Sequence, residues 1–180
     1  MYKIEDVLNF WFQDLSPNDW FKKDPQLDKK ISDKFSNLLY ATIAGELFEW
    51  RRSATGTLAQ VIVLDQFSRN IFRDRKEAFS QDPLALAIAQ DAIEKGFDLE
   101  LSIQQRGFLY MPFMHSESAF IHRKAAQLFS LKGLELNLDF ELKHKAIIDR
   151  FGRYPHRNII LNRESTAEEK LFLQEQDSAF

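Results

Sequence analysis

Apolar side chains recur along most of this chain at intervals of three and four, the spacing of helices that bury one face. Ile4, Val7, Leu8, Phe10 and Trp11 make an amphipathic opening that ends near Leu15, before the turn signal of Ser16 and Pro17. Trp20 and Phe21 precede Asp24 and Pro25, a predicted helix entry. Leu27, Ile31, Phe35, Leu38 and Leu39 then mark one buried stripe over residues 27–40. Gly56 precedes a run from Leu58 to Phe67 that is apolar almost all round, which predicts the most central helix. Asp82 as N-cap and Pro83 as first helical residue open an Ala/Leu-rich helix that closes near Gly96. A helix from about Ser102 meets Pro112, and Ser116 caps a successor that runs to Gly133, together a helical hairpin. The next helix covers about 138–151 and stops at Gly152; Pro155 holds Tyr154 extended and starts a short helix of its own. Ser165 and Thr166 followed by Glu168 and Glu169 read as a capping box opening a last helix, with residues 174–180 as a mobile tail.

No low-complexity linker and no solenoid repeat interrupts this pattern, so residues 1–180 are expected to form one all-α domain. Six Gly and five Pro leave too few turn residues for an all-β fold, while 44% hydrophobic content suffices for a substantial core. The absence of Cys removes disulfides and thiolate metal sites and is compatible with a reducing compartment. With no signal-peptide pattern and no apolar stretch approaching about 20 residues, a cytoplasmic protein without membrane contact is expected. A net charge of −3 argues against bulk nucleic-acid binding.

Against that acidic background residues 143–163 carry six Lys or Arg and one acid, Asp149. Within them RFGRYPHRN (150–158) crowds Arg150, Arg153, His156, Arg157 and Asn158 around one backbone break. Cations in the first turn of a helix are unfavourable unless an anion sits among them, so the segment reads as a place to hold a phosphate or carboxylate. The competing reading is an internal ion-pair network with acids such as Asp65, Glu117, Asp149 and Glu164. A second constellation, LDQFSRNIFR (64–73), ends the central apolar run. There Asp65 and Arg69, and Gln66 and Asn70, stand four apart, in adjacent rows on one helical face. The third is HSE (115–117), where His115 and Glu117 can converge at a helix start. It lacks the spacing of a metal motif, so no metal and no cofactor are expected. No nucleophile elbow and no Gly-rich phosphate loop is present.

Those three motifs, together with NFWF (9–12), WF (20–21) and the ending SAF (178–180), resemble a bacterial protein family of unknown function over nearly the whole chain. The resemblance implies an all-α, tetratricopeptide-like fold and no established activity, although the tetratricopeptide consensus itself is missing from the sequence.

The function expected from these residues is binding of a small anionic metabolite in a polar pocket formed by the two Arg-rich segments near His115 and Glu117. A chemically active version uses His156 or His115 as proton carrier, Asp65 or Glu117 to orient it, and Arg153 or Arg157 to stabilise negative charge. The alternative is a helical interaction module, binding a protein partner or a second copy, with the polar motifs pinning the core. A narrower idea docks the Phe180 carboxylate on the arginines in place of a ligand.

Overall fold

The structure is a computed structural model and describes residues 2–175 and 178. Ten α-helices and no strand are found among them. The first, α1 (Ile4–Asn9), runs into a π-helical segment, Phe10–Asp14, that buries Phe10 and Trp11. A one-turn α2 (Pro17–Trp20) follows, closed by a capping box between Ser16 and Asp19. Asp24 then caps α3 (Pro25–Ile43) through the amides of Gln26 and Leu27, as the Asp-Pro pair predicts. Its inward stripe is Ile31, Phe35, Leu38 and Leu39.

The centre of the molecule is one continuous helical rod. It comprises α4 (Ala54–Val61), a π-helical segment Ile62–Phe67, and α5 (Ser68–Ile71). Every side chain from Gly56 to Ser68 is buried, as a run apolar on all faces requires. The π-turn inserts one extra residue into the helical repeat, so the polar residues that follow are rotated relative to α4. Phe67 meets the ring of Phe10 at 6.1 Å and of Trp11 at 5.7 Å, so the two π-helical segments pack on each other.

Three predicted boundaries move. Asp82 is the first residue of α6 (Asp82–Glu94) and not its cap; Gln81 takes that place without a side-chain bond, because the Asp82 carboxylate is spent on Arg69 and Arg157. Pro112 lies inside α7 (Ile103–Met114), which Ser102 and Gln105 open with a capping box. Residues 107–114 are all buried, and their packing outweighs the backbone bond that Pro112 lacks. Ser118, not Ser116, precedes α8 (Ala119–Phe129).

Gly152, at φ 69°, ends α9 (Glu135–Phe151), which packs on α8. After extended Tyr154, Pro155 opens a single 3-10 turn, Pro155–Arg157, in place of a helix of useful length. The last element, α10 (Ala167–Phe172), starts at the foreseen capping box, with Thr166 and Glu169 as its partners. A small second core of Ile147, Ile148, Tyr154 and Phe172 ties this C-terminal part together. Residues 176, 177, 179 and 180, and with them most of the expected tail and the Phe180 carboxylate, lie outside the described residues.

Candidate functional site

The rotated end of the central rod places Asp65 and Arg69 where α6, the end of α7 and the 154–158 turn converge. Asp65 is fully buried and lies 2.7 Å from Nδ1 of His115 and 3.0 Å from a guanidinium nitrogen of Arg69; Gln66 donates to its second oxygen. Burial pushes an acid up, but here Arg69, His115 and Gln66 outweigh it and hold Asp65 well below the usual carboxylate range. Arg69 grips Asp82 with both arms, at 2.9 and 3.0 Å. Arg157 reaches the same carboxylate from the other side through one 3.3 Å contact.

Arg157 is the least satisfied group of the cluster. It is only 6% exposed, its guanidinium lies 4.6 Å from the Phe79 ring and 4.5 Å from the Tyr154 ring, and its buried Nε has no hydrogen-bond partner. Burial and the neighbouring Arg69 both push its pKa down. A guanidinium offers five donors, and one long bond uses few of them. His156 beside it is similar: burial and Arg157 push it down to about 4, and its Nδ1 is buried without a partner.

His115 completes the group. Burial and Arg69 lower its pKa, so at neutral pH it is an uncharged imidazole that donates from Nδ1 to Asp65. That bond fixes the tautomer with a lone pair on Nε2, for which no partner exists among the described residues. The side chains of Arg69, His115 and Asp82 remain 20%, 14% and 13% accessible, so the cluster has a narrow face towards solvent. His156 also lines an open cleft of about 490 Å³ with Ile159, Arg163 and Lys170; Asp65, Arg69, His115 and Arg157 do not line it.

The structure therefore brings together Asp65, Gln66, Arg69, His115, His156 and Arg157 and disperses the other candidates. Asn70 bonds Asp28, which also takes Arg73 at 2.7 Å. Glu117 accepts both arms of Arg163 and the Tyr154 amide, so it orients no histidine. Arg153 and Asn158 converge on Glu169, and Arg150 pairs with Glu168. The expected positive helix start is absent, because a three-residue turn sums no useful dipole and these arginines meet acids of α10 instead. Sequence reasoning missed Asp82, Phe79 and Tyr154. The Asp-Pro pair at 82–83 looked like a cap and hid the acid that joins the two arginine segments. Among the described residues no group of three or more His, Cys, Asp or Glu is arranged to hold a metal ion, and no helix is long and apolar enough to cross a membrane.

Comparison with other proteins locates this architecture. The solved structure of a protein of unknown function, ATU0120, from Agrobacterium tumefaciens superposes with a TM-score of 0.91 at 39% sequence identity, over 96% of this chain and 97% of that one. No functionally curated protein matches. The profile of the family described as "Bacterial protein of unknown function (DUF924)" matches residues 7–177. The chain belongs to that family.

Proposed function

We propose that the protein binds a small anionic metabolite, a carboxylate or phosphate, where Arg157, Arg69 and His115 converge, and that the Asp65–His115 pair takes up a proton from solvent as it binds. The observation that carries this reading is Arg157, a buried guanidinium with unspent donors beside the unpartnered Nδ1 of His156. The other arginines of the two motifs support it by contrast: Arg69, Arg73 and Arg153 each have two bonds to acids, and Arg150 bonds Glu168 through Nε, the atom that Arg157 leaves without a partner. Two carboxylates, Asp65 and Asp82, already balance Arg69 and Arg157, so an incoming anion adds a negative charge that something must offset. Neutral His115, with a lone pair on Nε2 and Asp65 behind it, offsets it by taking a proton from solvent. Binding is therefore coupled to proton uptake.

Calorimetric titration with inorganic phosphate, phosphorylated metabolites and small carboxylates tests this. A ligand whose binding heat varies with buffer ionisation as for uptake of a proton, and whose affinity is lost in Arg157→Ala, supports the reading. Binding of none of them, or binding that Arg157→Ala leaves intact, overturns it.

A second reading, a tetratricopeptide-like interaction module, is favoured by α9, which leaves Leu136 and Phe140, four apart on one helical face, exposed. Sedimentation at rising concentration would detect pairing of copies through that face, and Phe140→Glu would abolish it.

A further inference from the structure

Beneath the Arg157 cluster lies a second polar group that the proposed site does not use. His122 and Glu141 are both fully buried, and His122 Nδ1 lies 2.8 Å from a Glu141 oxygen. His122 Nε2 lies 2.8 Å from the Ser116 carbonyl and 3.1 Å from the Tyr154 hydroxyl. That hydroxyl in turn donates to the Met114 carbonyl at 2.6 Å.

These contacts determine where the hydrogens are. A carbonyl only accepts, so Nε2 must carry a hydrogen; a bare Nε2 would set its lone pair against the Ser116 oxygen. Tyr154 has spent its only hydrogen on Met114, so it too accepts from Nε2. With Nε2 protonated, an uncharged His122 would face Glu141 with the lone pair of Nδ1, and a carboxylate would face it with another. One proton must therefore lie between Nδ1 and the Glu141 oxygen, whether it is written as imidazolium and carboxylate or as imidazole and carboxylic acid.

We infer that His122 and Glu141 share one sealed proton throughout neutral pH, and that this proton makes them positioning residues for Tyr154 and, through its ring, for the Arg157 guanidinium. Burial raises the Glu141 pKa, which agrees with a retained proton, and its second oxygen has no hydrogen-bond partner to favour a bare carboxylate. Other charges cannot replace the proton. On α9 itself Lys145 is held by Asp149 and the His144 ring lies 5.7 Å from that of Tyr154; His156 and Arg157 have their ring and guanidinium 5.4 and 4.5 Å from the Tyr154 ring. Glu117 is occupied by Arg163 and the Tyr154 amide. The shared proton stands independently of the proposed ligand site; only its consequence for binding rests on that reading.

The unfolded chain has a free His with a pKa of about 6.5 and a free Glu of about 4.3, so above about pH 6.5 the folded protein holds one proton more than the unfolded one. Stability then falls as pH rises, with the unfolding constant growing about tenfold per pH unit from this pair alone. Urea unfolding of the ligand-free protein between pH 7 and 9 reads this slope, and Glu141→Gln removes it, because an amide donates to Nδ1 without a titrating proton. We expect a one-proton slope in the wild type that vanishes in Glu141→Gln. Parallel slopes in the two proteins would overturn the shared proton. If Glu141→Gln does not fold, nitrogen-detected NMR of the wild type decides: His122 unchanged to pH 9 supports the proposal, and titration near pH 6.5 refutes it. Amide exchange over residues 154–158 tests positioning. Exchange should accelerate in Glu141→Ala and recover in Glu141→Gln; equal protection in all three would leave no positioning role.

Discussion

The carboxylate of Asp65 and the imidazole of His115, fifty positions apart in sequence, meet at 2.7 Å inside the molecule. Asp65 comes from a π-helical turn of the central rod and His115 from the residue just after α7. Their bond fixes which imidazole nitrogen carries hydrogen, and Arg69 keeps Asp65 ionised in an apolar setting. Replacing Asp65 by Asn keeps an acceptor for Nδ1 and removes the charge that favours His115 protonation. The imidazole should then titrate at still lower pH, which an NMR titration of His115 would show; an unchanged titration would mean that the pair is not electrically coupled.

Arg69 and Arg157 share Asp82 but differ in what depends on them. Removing Arg69 strands Asp65 and most of Asp82 as buried, uncompensated acids, a loss of about 3–5 kcal/mol. Arg157→Ala leaves Asp82 gripped twice by Arg69 and should cost about 1–2 kcal/mol, chiefly in lost ring contacts. Urea unfolding of the two variants checks the order. The reverse order would show that Arg157 is a structural cation.

Acid should unfold this protein early. His115, His144 and His156 all have lowered pKa values in the fold, the last two down to about 3 and about 4, through burial first of all. Above about pH 6.5 these groups are neutral in both states and contribute nothing. As pH falls below that value the unfolded chain binds their protons first, and stability drops with a slope approaching two protons from His144 and His156, to which His115 adds in the same direction. His156→Asn should reduce the slope by one proton between pH 6 and 5, as measured by denaturant midpoints across that range.

Gly56 supports the central rod by having no side chain. A Cβ there would lie 2.2 Å from the Trp50 carbonyl oxygen and 2.9 Å from Oγ of Ser53, the residue that caps α4. Gly56→Ala must displace backbone and should destabilise by about 1–3 kcal/mol. A melting temperature equal to the wild type would show that the 48–52 turn yields freely.

Much of the helical architecture was legible in the chain itself. Asp24, Ser102, Thr166 and Gly152 act locally, through bonds or a positive φ within a few residues, so their roles could be read from neighbours in sequence. The same holds for the stripe on α3 and the all-round apolar run from Leu58 to Phe67, because burial of a helix face has a period. Pro112 escaped such reading because packing from several elements, not local propensity, keeps α7 intact around it.

For the candidate site, sequence determined the residue types and the two segments, and tertiary structure decided the pairings. The arginines of 150–158 looked alike in sequence. Their difference lies in which acids the fold delivers: Glu168 and Glu169 from α10 to Arg150 and Arg153, but only a shared edge of Asp82 to Arg157. Charge pairing acts through space over a few ångströms. Partners 16 to 75 positions apart leave no periodic signal for a sequence to carry.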